Sequence, residues 1–261
     1  MFLHAWKRLV AMYGKAMAQL LSAQNYDSPE FMVAAEQLAR RMAEWVEALN
    51  VKGWRQAAFQ AGRGGELYRA LQHEIRTAGL RPELDQIARR NADLIRSVPE
   101  EVAQSITHMS RTMQEAGSRP EAIAREIRRR APELTKSKIK MIAHTEIGRA
   151  ETDLSRARSL NLGLEWYIWS TSRDSRVRPS HRFMDGVLVN WNDPPSPEEL
   201  IGEKSTLGHY HSSCCPWCRC SSLSVADLAQ VQFPARIYRA GKVIRMSRKD
   251  FSRIAGLERA A

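Results

Sequence analysis

The sequence predicts an α+β protein: a long N-terminal helical region, then a small mixed domain in which a long helix packs on a short, mostly antiparallel sheet, and a C-terminal β-hairpin. From residue 3 to about residue 160, apolar residues recur at helical spacing, and prolines and glycines lie mostly where one helix would end and the next begin. After Gly163 the pattern changes to short runs rich in β-branched and aromatic residues, which is typical of strands. The length of 261 residues, with 43% hydrophobic content, allows one large or two modest domains with real cores.

Caps and prolines predict where the helices of the first half begin and end. Ser28 places an N-cap residue directly before Pro29, which favours a helix start at this position. Pro99 and Pro132 predict boundaries between successive helices, because proline disfavours helical geometry in the residue before it. The segment 135–160 predicts the long helix of the mixed domain, since its apolar residues form one stripe.

The second half predicts short strands separated by a long polar loop. Strands are expected at 164–170 and 187–191, and the loop follows from 192 to 213. Residues 236–246 predict a hairpin, after which Ser247 begins a short helix. No apolar run approaches the roughly 18 residues that span a bilayer, so we expect a protein made in the cytoplasm that has no membrane contact.

The net charge of +11 is concentrated in three short segments. Residues 119–130, 173–182 and 236–253 carry +3, +3 and +6, so the remainder of the chain is close to neutral. Such local charge can neutralise phosphates and release counterions, which gives non-specific affinity for double-stranded DNA. The alternative is a solvated helix face together with an edge hairpin whose basic residues discourage strand pairing. The candidates for DNA contact are Arg125, Arg128, Arg129, Arg130, Arg236, Arg239, Lys242, Arg245, Arg248 and Lys249.

All four cysteines lie close together near the end of the polar loop, whereas a disulfide framework would distribute them along the chain. The spacing Cys215-x-x-Cys218 lets two thiolates converge on one ion across a tight turn. The candidate ligands of a zinc ion are His211, Cys215, Cys218 and Cys220, with His181 and Asp174 as further candidates. The alternative to metal binding is that Cys218 and Cys220 are alternate residues of a strand, and that the other cysteines are ordinary small residues.

The segment 172–186 is rich in arginine and also carries acidic residues and His181. One interpretation is a metal-dependent nuclease or other hydrolase, with His181 as general base, Asp185 as its partner and the cysteine cluster nearby. The other is an ion-paired turn that closes through Asp185-Gly186 into the next strand. We favour the structural interpretation and expect no catalysis. The residues predicted to form a polar network that fixes this loop are Glu146, Asp174, Arg176, Arg178, His181 and Asp185.

Several linked motifs in this half occur in a specific order. They are Ala143-His144-Thr145-Glu146 on a helix, Trp169 to Asp174, Arg176 to Gly186, and Cys218-Arg219-Cys220 at the end. In that order they resemble the phage Mu F-like minor head proteins, also called phage head morphogenesis proteins, over about residues 95–225. The matching positions are Thr145, Glu146, Asp174, Arg176, Arg178, His181, Asp185, Gly186, Cys218 and Cys220. The segment before Cys218 departs from the family pattern, because it carries two histidines and two extra cysteines where a Pro-Gly type of loop is usual.

The resemblance implies a minor capsid component of a tailed bacteriophage, present in few copies and located in the virion, at the portal vertex or in the capsid interior. Its implied partners are the portal protein, the major capsid protein and double-stranded DNA, with roles in head assembly or genome delivery and no enzymatic activity. We predict a helical partner-docking region at 1–95, a Mu F-like domain at 96–226 and a basic hairpin with a short helix at 227–261. An unrelated helical DNA-binding protein is a further alternative.

Overall fold

A computed structural model describes residues 2–22, 25–60, 64–77 and 79–255 of the chain. The helices are α1 Phe2–Leu21, α2 Pro29–Gln60, α3 Gly64–Thr77, α4 Arg81–Glu115, α5 Pro120–Asn161, α6 Pro179–Met184 and α7 Arg248–Ile254. The strands are β1 Trp166–Ser170, β2 Leu188–Asn190, β3 Ser221–Ser224, β4 Ala235–Arg239 and β5 Lys242–Met246. The predicted α+β class, with its long helical N-terminal region, is confirmed.

The five strands form one mixed sheet in the order β3-β1-β2-β4-β5. Strand β1 pairs antiparallel with both β2 and β3, and β4 pairs antiparallel with β5. The pairing of β2 with β4 is parallel, with Leu188 opposite Ile237. The sheet is therefore mostly antiparallel, as expected, and β5 forms one of its edges.

The predicted helix boundaries at Pro99 and Pro132 are wrong, because α4 and α5 each continue through their proline. A proline inside a helix removes one backbone hydrogen bond and bends the helix, but it does not end a helix that packing holds in place. Ile95 and Val98, directly before Pro99, are almost completely buried. Their burial favours a continuous α4 over the local preference of the residue before proline.

The described residues form two compact units, each built from segments that are distant in sequence. The first contains the described residues of 1–45 and 84–147, and the second contains those of 46–83 and 148–261. In the first unit the Tyr13 hydroxyl donates to Asn91 Oδ1 over 3.2 Å, inside the helical core. The domain boundaries near residues 95 and 226 stay a prediction.

The sheet of the second unit is covered on both faces. Tyr167 and Trp169 of β1 face one core, and Trp166 and Ile168 face the other, as the two-residue period of a strand requires. Phe251 of α7 packs edge-on against Trp166, with ring centroids 5.1 Å apart. The core on the Trp169 face contains three of the cysteines, and so the predicted metal ligands lie inside the fold.

A buried charged residue links the helices of the second unit. Arg158 of α5 has no exposed surface, and its Nε donates to Glu74 Oε2 over 3.1 Å. Its Nη1 donates to Asn50, whose Nδ2 in turn donates to the Ser155 hydroxyl over 2.7 Å. The charge is thus paired and hydrogen-bonded, which is the condition under which an arginine can be buried.

None of the helices in the described ranges combines the length and the apolar character that a membrane span needs.

Candidate functional site

Helix α6 carries His181 into the core of the second unit. Pro179 stands in the first turn of this helix, where its missing N–H costs nothing. The chain then turns at Gly186, whose φ of 77° is in the left-handed region that favours glycine. Gly186 N donates to Trp169 O over 2.8 Å, which fixes α6 beside β1. His181 is left only 2% exposed.

The cysteine segment forms a tight turn that faces α6. Cys218 N donates to Cys215 O over 3.1 Å, and the sulfur atoms of the two residues lie within 4.8 Å of each other. Cys220 follows just before β3, and its backbone N donates to Cys218 Sγ over 3.4 Å. All three thiols are buried.

His181 lies against these three thiols. Its Nδ1 is 3.5 Å from Cys218 Sγ and 3.4 Å from Cys220 Sγ, and its Nε2 is 3.6 Å from Cys215 Sγ. The ligand atoms of His181, Cys215 and Cys218 all lie within 4.8 Å of one another. A buried group of this composition is able to hold a metal ion.

The other side of the His181 ring is held by a tyrosine. Tyr210 OH is 3.0 Å from His181 Nε2 and donates to Glu198 Oε1 over 2.6 Å. Because the tyrosine proton goes to the carboxylate, we assign the imidazole proton to Nε2, which donates it to the tyrosine oxygen. The Nδ1 lone pair then points toward Cys218 and Cys220.

The three thiols share protons. Hydrogen bonds from Cys215 and Cys220 lower the pKa of Cys218 far below that of an ordinary thiol. The same contacts, together with burial, raise the pKa of Cys215 and Cys220 well above the usual value. Of the three thiols, that of Cys218 is therefore the first to lose its proton.

Two arginines tie the loop after β1 to the cysteine turn. Arg178 donates from Nη1 to Cys215 Sγ over 3.0 Å and from Nη2 to Pro216 O over 2.7 Å. Arg219 donates through both Nη atoms to the carboxylate of Asp174, with Nη2 at 2.7 Å from Oδ1. The hydrogen bonds from Arg219 hold the pKa of Asp174 well below its usual range.

The remaining residues of the predicted polar network make separate contacts. Asp185 closes the loop from within, since its Oδ1 accepts from the backbone N of Thr171 over 2.8 Å and its Oδ2 accepts from Arg173. The backbone N of Arg176 donates to Asp174. Glu146 belongs to the first unit, where it accepts from Arg90 Nε over 2.8 Å. The role assigned to this set from the sequence stays a prediction.

His211, a predicted metal ligand, lies outside the group around the thiols. Its Nδ1 is 3.1 Å from Tyr167 OH, and its ring packs edge-on against Trp191 with centroids 5.2 Å apart. Burial lowers the pKa of His211 to about 4, so the ring is neutral at physiological pH. The structure places His181 beside the cysteines instead.

Comparison with known proteins places the site in a family. Residues 104–223 match the family model described as phage Mu protein F like protein. These residues belong to the phage Mu protein F like family. The match covers His181, the arginines that hold its loop, and the cysteine turn, and it indicates a phage head morphogenesis protein. The resemblance predicted from the sequence is confirmed.

A curated relative of the chain is an uncharacterised protein from Haemophilus influenzae. It is 26% identical over 137 residues, which cover 52% of this chain and 28% of the relative. The chain thus spans less than a third of the length of that protein. No solved structure matches the chain.

Three residues of the Mu F-like segment join the site without being predicted from the sequence. Arg219 pairs with Asp174, while Tyr210 and Glu198 hold His181. Arg219 stands between two cysteines and Tyr210 between two histidines, so their positions carried a signal. Glu198 lies in the long polar loop, where the sequence does not distinguish it from its neighbours.

The predicted DNA contacts fall into two sets. Arg125 and Arg128–Arg130 are exposed on α5 within the Mu F-like segment, where Arg129 and Arg130 pair with Glu126 and lower its pKa to about 2. Arg236 donates to Phe183 O over 2.6 Å and stacks on the Phe183 ring, so it holds β4 against α6. The other hairpin residues, Arg239, Lys242, Arg245, Arg248 and Lys249, are exposed.

Proposed function

We propose that the chain is a minor capsid protein of a tailed bacteriophage, located in the virion at the portal vertex or in the capsid interior. The match of residues 104–223 to the phage Mu protein F like family carries this proposal. The portal protein and the major capsid protein are the partners that the proposal implies. Its direct test is the protein content of purified phage particles.

The contacts of the motif residues support a structural role for them. A general base has to reach a substrate proton, directly or through one water. His181 is buried and held by Tyr210, while Asp185 accepts from Thr171 and Arg173. These side chains hold the loop together, as expected for a protein that assembles and does not catalyse.

The N-terminal helices support docking on a partner protein. Phe59 of α2 has 79% of its surface exposed, and Tyr68 of α3 lies beside it with ring centroids 5.6 Å apart. Met12 and Val33 are also more than half exposed. Aromatic and methionine side chains are enriched at protein interfaces, so their exposure on these helices supports contact with a partner protein.

The basic hairpin supports contact with packaged DNA. Its exposed basic residues follow one another closely in the chain: Arg239 ends β4, Lys242 and Arg245 lie on β5, and Arg248 and Lys249 begin α7. Contacts of this kind give affinity that does not depend on sequence and that falls with salt. The rival explanation is protection of the sheet edge, which needs no DNA.

Reversing the hairpin charges separates these two explanations. With Arg239, Lys242, Arg245, Arg248 and Lys249 all changed to Glu, we expect weaker binding to a DNA duplex and a salt slope reduced by about 0.9 for each lost phosphate contact. Binding is measured by fluorescence anisotropy across a salt series. The matched control reverses an equal number of exposed charges on the helices, at Arg8, Lys15, Arg41, Lys52 and Arg55. Equal affinity and slope in wild type and hairpin variant would show that the hairpin only protects the edge.

The same preparations test the alternative of a metal-dependent nuclease or hydrolase that uses His181, Asp185 and the cysteine cluster. Plasmid incubated with the wild-type chain and Mg²⁺, Mn²⁺ or Zn²⁺ is expected to stay intact. Cleavage that disappears in His181→Ala would establish the enzyme and refute the structural role.

A further inference from the structure

Four side chains with metal-binding atoms lie in contact in the second unit: a nitrogen of His181 lies within 3.6 Å of the sulfur of each of Cys215, Cys218 and Cys220. In a tetrahedral zinc site, with Zn–S bonds of about 2.3 Å and Zn–N bonds of about 2.0 Å, sulfur and nitrogen ligands lie roughly 3.6 Å apart. His181 Nδ1 lies 3.4 Å from Cys220 Sγ and 3.5 Å from Cys218 Sγ, whereas Cys215 Sγ lies 3.6 Å from Nε2 of the same ring. Cys218 and Cys220 are thus at the spacing from Nδ1 that a bound zinc ion imposes, and the ligand atoms of His181, Cys215 and Cys218 lie within 4.8 Å of one another.

We propose that these four residues bind one structural zinc ion, with His181 ligating through Nδ1. The geometry excludes His211 from this set, because that ring is held between Tyr167 and Trp191. Three thiolates and one imidazole form a soft ligand set that suits zinc and is unsuited to magnesium or calcium, which prefer oxygen ligands. With all four positions supplied by the protein, the site is closed, as structural zinc sites are.

The residues that contact the four proposed ligands are arranged like the residues that surround the ligands in known metal sites. A histidine ligand normally donates its other N–H to an oxygen that fixes its orientation, and here Tyr210 accepts from Nε2 and passes the interaction on to Glu198. Zinc with three thiolates carries one net negative charge, and Arg178 places one positive charge 3.0 Å from Cys215 Sγ. The site is therefore oriented and electrically balanced by contacts that exist in the fold.

A zinc ion at this point would add a direct link between segments that already share one apolar core. It would connect α6, the cysteine turn and the start of β3, all of which border the long polar loop from 192 to 213. Binding free energy in such sites contributes directly to folding. We therefore expect the metal to hold the Mu F-like fold together without taking part in a reaction.

The metal content of the full-length protein, purified without chelator, tests this proposal. We expect about one zinc per chain by elemental analysis, and the intense visible bands of tetrahedral thiolate coordination after exchange with Co²⁺. Cys218→Ser and His181→Asn are expected to abolish these bands, whereas Cys214→Ser and His211→Asn should keep them. Near-zero zinc together with no such bands would overturn the proposal, as would bands lost in His211→Asn and kept in His181→Asn.

Thiol accessibility provides a second measurement that needs no variant to fold. With zinc bound, the native wild-type chain is expected to present about one reactive thiol, that of Cys214, and all four after a strong chelator is added. A chelator that leaves the number of reactive thiols unchanged would contradict zinc binding. A Cys215–Cys218 disulfide in the purified protein, detected by mass spectrometry, would do so as well.

Discussion

Replacing Arg158 by methionine is expected to lower the free energy of unfolding by about 3–5 kcal/mol, because the change leaves a buried carboxylate without its partner. Arg158 is fully buried, and it donates to Glu74, which is itself only 7% exposed. Asn50 also loses the guanidinium that it accepts from. Urea denaturation followed by circular dichroism measures the loss.

Two controls distinguish an unpaired charge from a general packing defect. The double variant Arg158→Met with Glu74→Leu removes both charges, and it is expected to recover much of the stability, since replacing a whole buried pair by apolar residues is often nearly neutral. Arg55→Met, at an exposed position of α2, should change the stability by less than about 0.5 kcal/mol. If Arg158→Met proved as mild as Arg55→Met, the buried pair would have no structural importance.

Replacing Trp169 by alanine is expected to cost about 3–5 kcal/mol, since it empties the centre of the core beside the cysteine cluster. Trp169 has no exposed surface and packs edge-on against His181, with ring centroids 5.4 Å apart. Its removal therefore eliminates packing contacts of both the sheet and α6. Trp169→Phe should lower the free energy of unfolding by less, because an aromatic ring still fills part of the space.

The neighbouring strand supplies a matched control for the tryptophan. Leu223 lies on β3 opposite Ile168 and is 51% exposed, so Leu223→Ala should stay within about 0.5 kcal/mol of wild type. All variants are compared by urea denaturation at the same zinc concentration. A Trp169→Ala variant as stable as Leu223→Ala would mean that this core does not hold the domain.

Local pattern is enough to predict most of the fold. Richness in β-branched and aromatic residues predicts β1 and β2, and the Ala240-Gly241 pair predicts the hairpin, whose turn needs positive φ. The same reasoning fails at Pro99, where burial of the preceding helical turn outweighs the local preference of a proline. Packing against residues that are distant in sequence keeps α4 continuous at Pro99. A single sequence does not show such packing.

The candidate site shows more clearly that the sequence does not reveal contacts between distant residues. Cys215, Cys218 and Cys220 are predictable as a group because their spacing is local. Spacing also favours His211 as their partner, although His181, 34 residues before Cys215, is the histidine that reaches them. It arrives there because α6 folds back beside β1 and Arg178 binds the cysteine turn. No spacing pattern along the sequence predicts the contact between His181 and the cysteines.

The proposed function requires that the chain be a structural component of the phage head. Quantitative mass spectrometry of purified, DNA-filled particles from a phage that encodes the chain tests this most directly. We expect the protein in every preparation, at a small number of copies relative to the major capsid protein, and protected from protease added outside the shell. Its absence from particles while it is abundant in infected cells would contradict the account.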